Sequence, residues 1–312
     1  MAAVCRAEGQ LIGPPINADE YGSDSLPSAL IHGVKTIMVD QADYPFADME
    51  LARTLERAEA RSNVNFVDAR ARAFPDRGAK WIEVAGAYAM FDGVGSPVTQ
   101  TFGLGVFEPT TVDHLDTIEH FFRSRGADTF HEVCPLADSS LFTLLTERRY
   151  RPVELSNVLY RPINVDLRLD APEISVRLIE KNEVDVWGET ASEGWSEFTE
   201  VADFMREINQ VMAQSEALLF LAELEKKPIA AGALTIAGDV ALLAGACTIP
   251  AARRRGAQLA LLEHRLRYAA TQGCTIGMMV ALPGSGSQRN AERHGFRIAY
   301  TRTKWGLDHA GL

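Results

Sequence analysis

Apolar positions along the chain recur at different spacings, and the changes in spacing mark out its elements. Between 255 and 272, Leu259, Leu262, Leu266 and Ala269 or Ala270 fall at helical spacing while Glu263, Arg265 and Arg267 take the other face. That pattern predicts an amphipathic helix with its charged side toward solvent. Residues 48–72 contain no proline or glycine and suit one or two helices. Strands are expected at 80–91 and 98–107, with the pair Gly103 and Gly105 read as a bulge inside the second. A helix at 112–125, a strand at 129–133, a helix at 138–148 and a strand at 153–160 follow.

Residues 161–173 are charged and bracketed by Pro162 and Pro172, which reads as a linker. Beyond it the order is strand 175–179, helices 183–193 and 200–213, strands 217–224, 229–237 and 239–247, helix 255–272, strand 275–281, helix 287–294 and strand 296–305. The fold class is therefore mixed α/β, with consecutive antiparallel strands and one late crossover. Glu147-Arg148-Arg149-Tyr150-Arg151 is echoed by Glu292-Arg293-His294-Gly295-Phe296-Arg297, with Tyr150 and Phe296 standing 146 residues apart. Both halves also end helix, strand, helix, strand, so a duplicated unit is expected. The organisation is then an N-terminal arm over 1–30, rich in turn formers, a first domain over 31–165 and a second over 166–312.

A chain of 312 residues exceeds one typical domain, and 46% hydrophobic with 23% charged residues suffices for two cores. The formal charge of −11 opposes binding to a phosphate backbone, so nucleic acid is not an expected partner. Cys5, Cys134, Cys247 and Cys274 form no C-x-x-C pair and have no histidine at ligand spacing, so they read as packed free thiols and no metal is expected. The first residues lack a signal-peptide pattern and no apolar run is long enough to span a bilayer, so a cytoplasmic protein without membrane contact is expected. A homodimer is left open.

The stretch that carries chemistry is Thr248-Ile249-Pro250-Ala251-Ala252-Arg253-Arg254-Arg255-Gly256-Ala257-Gln258. A strand ends before a proline, and a basic, glycine-containing turn opens a long helix. Helix starts carry unpaired backbone N–H groups and a positive dipole end, which suits a pyrophosphate. Gly256 removes a side chain where phosphate must approach, and the arginines add charge. A solvated arginine-rich helix cap is the competing reading. There is no Gly-Lys-Ser/Thr ending, which disfavours a nucleotide triphosphatase.

This stretch resembles the signature of the Gcn5-related N-acetyltransferases: Gln or Arg, two residues, Gly, one residue, then Gly or Ala. Arg253 to Gln258 follow it, except that Gln258 replaces the small last residue. The segment from Pro283 to Phe296 resembles the family's closing helix and Gly-Phe turn. The resemblance implies tandem acetyltransferase-like domains, each with a central, mostly antiparallel sheet flanked by helices, and a degenerate first copy. It implies acetyl-coenzyme A as cosubstrate, with the amides of Arg254, Arg255, Gly256, Ala257 and Gln258 on its pyrophosphate beside Arg253. Ala246, Cys247 and Thr248 would pair with the pantetheine arm.

The expected reaction is acetyl transfer to a primary amine of a small molecule by direct attack. An amine of pKa about 10.4 must lose its proton at pH 7, a cost of roughly 4.6 kcal/mol. The strand 241–247 carries no carboxylate to help, and Glu193, beside Trp195 in the loop expected between the first two helices, is the alternative. Many relatives place a tyrosine four residues before the closing glycine; here Ala291 stands there. Ser287 takes its place as candidate donor to the departing thiolate, with a helix N-cap as its plain structural reading. A noncatalytic acyl-coenzyme A sensor is the alternative function. Between 98–107 and the next helix the first half is acidic where the second is basic, so it is read as lending surface and acceptor contacts.

Overall fold

The computed structural model describes residues 6–7, 10–11, 44–163, 173–196 and 202–307. Nearly all of the arm over 1–30, residues 164–172 of the linker expected over 161–173, and Cys5 lie outside the described residues; Arg161 and Pro162, also expected in that linker, instead end a strand that runs Arg151–Pro162. The first half contributes α1 (Met49–Ala73), β1 (Lys80–Val84), β2 (Ala87–Phe91), β3 (Gln100–Phe102), α2 (Val112–Arg123), β4 (Thr129–Val133), α3 (Ser140–Glu147) and β5 (Arg151–Pro162). The second contributes β6 (Ile174–Leu178), α4 (Val184–Gly194), α5 (Ala202–Gln214), β7 (Leu218–Leu224), β8 (Lys227–Ala237) and β9 (Val240–Thr248). It closes with α6 (Ala257–Thr271), β10 (Ile276–Ala281), α7 (Gly286–Arg293) and β11 (Arg297–Leu307).

The fold is mixed α/β, with a mostly antiparallel sheet flanked by helices. The strand expected over 80–91 is a hairpin, broken where Ala85 and Gly86 both take positive φ, at 50° and 74°. The strand expected over 98–107 shrinks to Gln100–Phe102. Gly103 and Gly105 follow it in a turn, both left-handed, so they are not a bulge within the strand.

Eleven strands form one sheet in the order β1-β2-β3-β4-β11-β5-β10-β9-β8-β7-β6. Among the described residues only the pairs β3/β4 and β9/β10 are parallel. The centre of this order is an exchange. β5, the last strand of the first half, lies between the last two strands of the second, and β11 lies between the last two strands of the first.

α1 crosses the seam. Leu51, Ala52, Leu55 and Ala58 pack with the first half, whereas Val64, Phe66 and Val67 pack with Trp187 of α4 and Val211 and Met212 of α5. Asp48 caps this helix by accepting from the amides of Glu50 and Leu51. Midway along it, Glu56 and Glu59 meet Arg302 of β11, with Arg302 Nη2 2.7 Å from Glu59 Oε2, and Lys304 Nζ stands 3.1 Å from Glu132 of β4. The exchanged strand thus carries its cations into acid supplied by the first half. Burial pushes the Glu56 carboxyl up to about 7, against the pull of Arg302. Burial also raises Glu132, but Lys304 and Arg302 outweigh it and hold that carboxyl below its usual value. No helix among the described residues is long and apolar enough to cross a membrane.

Candidate functional site

β9 and β10 run side by side only through Val240↔Ile276, Ala241↔Gly277 and Leu242↔Met278. Past that point they part. β9 continues against β8 alone, and Met279, Val280 and Ala281 of β10 pair with β5 alone. A wedge therefore opens inside the sheet, bordered by backbone that pairs on one side only.

The parting coincides with a bulge in β9. Ala244 opposes Ala233 and Cys247 opposes Ala231, so Gly245 and Ala246 together face Gly232, and Gly245 takes φ 60°. An extra residue bends the strand and leaves ladder groups open. Arg265 fills that need: its Nη1 donates to the carbonyls of Ala233 (2.8 Å) and Ala244 (3.2 Å), and its Nε to Leu261 (3.1 Å). Gly232 makes room for it, since a Cβ there would lie 3.1 Å from Arg265 Nη1. Arg265 is thus 3% exposed and belongs to the core, not to the solvent face expected of it. Burial lowers its pKa to about 10, which leaves it charged.

Ala246, Cys247 and Thr248 occupy the free-running end of β9. The Cys247 side chain packs under α4, where a Cβ on Gly194 would meet its sulfur at 2.7 Å, and burial pushes its thiol up to about 12. A thiol so held is a packing group and not a nucleophile. After Thr248 the chain turns through Pro250–Ala252, Arg254 and Gly256 adopt positive φ (63° and 85°), and α6 starts at Ala257 with Gly256 as its N-cap. Gly256, as N-cap, has no side chain to cap that helix start, which leaves its first amides without an N-cap side-chain partner. Arg253, Arg254, Arg255 and Gly256 are exposed around it. Gln258 turns inward, its Nε2 donating to Thr248 Oγ1 at 2.9 Å.

Among its described residues the first half builds no counterpart. α2 is capped by its own Thr111 and His114 in a reciprocal pair. The positions after β3 are packed shut: a Cβ on Gly103 would strike the Phe107 ring at 2.8 Å, and one on Gly105 would meet Leu141 at 3.0 Å.

The two candidate catalytic residues are exposed. Glu193 lies in the last turn of α4, not in a loop, next to the glycine that abuts Cys247 and Thr248. Trp195 beside it is half-buried against the core. Ser287 is the second residue of α7, but the N-cap expected of it belongs to Ser285, whose hydroxyl accepts from the Gln288 amide at 3.2 Å. Gln288 Oε1 accepts in turn from Asn157 Nδ2 at 3.1 Å, which ties α7 to the exchanged strand β5. Ala291 is fully buried with Leu262, Leu266 and Phe296, so its position faces core.

Sequence reasoning missed the parting of β9 and β10 and the buried Arg265; the glycines at 232 and 245 were the only signals. Among the described residues no cluster of acids, histidines and cysteines could hold a metal ion.

Residues 184–296 match the model of the acetyltransferase (GNAT) family. No curated protein matches the chain in sequence. In fold it is similar to a GCN5-related N-acetyltransferase from Kribbella flavida, at 19% identity and a TM-score of 0.61 over 84% of this chain and 97% of that one. It is also similar to a tandem GNAT protein from the clavulanic acid biosynthesis pathway, at 10% identity and a TM-score of 0.52, covering 71% and 78% of the two chains. A conserved Staphylococcus epidermidis protein of unknown function gives the same score at 8% identity over 74% and 94%. The second half thus carries a GNAT acetyltransferase domain, and the whole chain has the fold of such proteins, tandem forms among them.

Proposed function

We propose that the chain is an N-acetyltransferase that moves the acetyl group of acetyl-coenzyme A to a primary amine of a small molecule, using the second half alone for the cosubstrate. One observation carries this reading: the wedge between β9 and β10 leads to an uncapped helix start whose glycine is already left-handed. The two features match the two parts of the cosubstrate. A linear, amide-bearing arm fits between strands that have parted, and a helix start without a side-chain cap, beside three exposed arginines, fits a pyrophosphate. The amides of residues 254–258 would hold the phosphates, and Ala246 to Thr248 would line the arm.

In the step itself the amine nitrogen bonds to the thioester carbonyl carbon, the carbon–sulfur bond breaks, the nitrogen gives up one proton and the thiolate takes one. Attack is direct, since the deeply buried Cys247 thiol is poorly suited to carry the acetyl group. Ser287, exposed at the start of α7, is the proposed hydrogen-bond donor to the sulfur. Glu193, exposed beside the end of β9, is the proposed acceptor of the amine's proton, directly or through water.

A noncatalytic acyl-coenzyme A sensor is the second reading, favoured by the apolar packing of Ala291 and the absence of a carboxylate on β9. Calorimetry with acetyl-coenzyme A is expected to give one site per chain, and a panel of amines is expected to release coenzyme A thiol. Two sites, or binding that survives replacement of Arg254, Arg255 and Gly256 together, would overturn the assignment. Binding with no thiol release from any amine would leave the sensor.

A further inference from the structure

α7 joins β10 to β11, yet these strands are not neighbours in the sheet. β5, the last strand of the first half, lies between them and runs antiparallel to both. They are therefore parallel to each other, and a connection between parallel strands must cross the face of whatever separates them. α7 is that connection, so it lies over a strand that the second half does not own.

The side chains of β5 beneath it form a seat. Asn157, Leu159 and Arg161 alternate onto one face of the strand. Asn157 Nδ2 donates to Gln288 Oε1 at 3.1 Å in the first turn of α7, Leu159 shares a buried cluster with Ala291 further along, and Arg161 Nη1 donates to the carbonyl of His294 at 2.6 Å just past its end. The lengths agree, since four steps of a strand span about 13 Å and a helix of this length about 12 Å. Tyr44, ahead of α1, adds a second tie at the far end by donating to the Gly295 carbonyl, and Arg297 stands 3.6 Å over its ring.

Apolar packing alone would leave α7 free to rotate and slide, because of its residues only Ala291 is buried. Gln288 fixes both: its Oε1 also accepts from the Gly284 amide at 2.7 Å. Asn157 is itself held, accepting from Thr301 Oγ1 at 2.6 Å and only 4% exposed. A buried amide whose oxygen and nitrogen are both engaged has one orientation. Its bond sets where Gln288 stands, and Ser287 is the residue before it. None of these ties involves a residue of the arginine turn at 253–258.

Resting on the acetyltransferase reading, we propose that the first half is the seat of α7 and that Asn157 is a positioning residue, acting through Gln288 to hold the Ser287 hydroxyl at the sulfur of the acetyl donor. A donor displaced from its acceptor loses most of its effect on the rate. The half without a phosphate turn thereby serves the reaction through the helix it carries, while the second half binds the cosubstrate.

The test is made on the full chain with two variants. Asn157→Leu is close in size and removes both the donor and the acceptor; Gln288→Met breaks the same bond from the half-buried helix side and leaves β5 intact, should the buried change impair folding. Each is expected to lower the turnover number roughly tenfold with acetyl-coenzyme A affinity nearly unaltered by calorimetry. Amide hydrogen exchange over 286–293 should quicken several-fold, while 257–271 exchanges as in the parent. In a Ser287→Ala background neither variant should slow the rate further, because a misplaced donor and a missing one are the same loss. Rate losses that multiply with that of Ser287→Ala, an effect confined to acetyl-coenzyme A affinity, or unchanged exchange over α7 in folded protein would overturn the inference. A parent chain that releases no thiol with any amine would instead sink the acetyltransferase reading, and exchange over α7 would still decide whether the first half seats it.

Discussion

Gln258 Nε2 donates to Thr248 Oγ1 at 2.9 Å, tying the last residue of β9 to the second residue of α6 across the arginine turn. The resemblance gave a small residue at 258, and the larger side chain found there is used to fasten the turn from within. Gln258→Ala should therefore loosen the turn while shortening the side chain to the usual size. We expect a stability loss of about 1 kcal/mol and a several-fold weaker affinity for acetyl-coenzyme A. Thermal melts and calorimetry on one preparation check both, and unchanged affinity would mean that the tie does not preorganise the turn.

Gly256 has open space where a Cβ would go, but its φ of 85° is one that other residues adopt at a cost. Gly256→Ala should cost about 1–2 kcal/mol in stability through the backbone alone. Gly256→Glu adds a negative charge over the helix start and should abolish acetyl-coenzyme A binding in protein that still folds. If the folded glutamate variant binds normally, pyrophosphate does not sit there.

Arg265 is a buried cation that donates to the carbonyls of Leu261, Ala233 and Ala244. Arg265→Met keeps the length of the side chain and removes every donor, leaving the Ala244 carbonyl of the bulge without this bond. A loss of about 2–4 kcal/mol in unfolding free energy is expected, with weaker acetyl-coenzyme A binding because the bulge sets the parting of β9 from β10. Denaturant unfolding measures the first and calorimetry the second; a near-neutral effect on both would show that the bulge holds itself open.

Most of the second half was legible because its elements are local. The spans expected at 183–193, 217–224 and 275–281 lie within a residue or two of α4, β7 and β10. The glycine turn and helix start at 253–258 were readable for the same reason, since both are properties of neighbours. What the sequence hid is non-local. The sequence pattern predicts strands at 153–160 and 296–305, but not that each inserts beside the other half's last strand. Arg265 looked solvated because its charge outweighed its periodicity, and only the carbonyls opened by a distant bulge make its burial affordable. The acid on α1 had no visible partner either, as Glu59 and Arg302 are brought together by that same exchange.

Acidity enters stability through Glu56, whose carboxyl rises from an ordinary 4.5 to about 7 on burial. A folded pKa above the unfolded one means that the native state holds its proton more tightly. The stabilisation is complete below about 4.5 and is lost as pH rises through about 7. Glu56→Gln removes the titration, so relative to the parent it should gain stability between pH 6 and 8, by roughly 1–2 kcal/mol by the upper end. Melting temperatures of both proteins across that window give the answer; parallel curves would mean Glu56 is already ionised under Arg302.

Ser285 and Ser287 separate two roles that were both open to Ser287. Ser285 caps α7, so Ser285→Ala should cost about 1 kcal/mol in stability and leave the rate per folded molecule nearly intact. Ser287 is exposed one residue inside the helix, where an alanine substitution costs the fold little. If its hydroxyl serves the departing thiolate, Ser287→Ala should leave acetyl-coenzyme A affinity nearly unchanged and lower the turnover number. A positioned acid contributes roughly 10²- to 10⁴-fold. A serine hydroxyl is a weak acid, so the low end of that range, or less, is expected. Single-turnover rates at saturating amine, taken beside melting temperatures on the same samples, resolve the pair. Should Ser287→Ala turn over at the parent rate while chemistry limits, the proton reaches sulfur through water, and α7 contributes position alone.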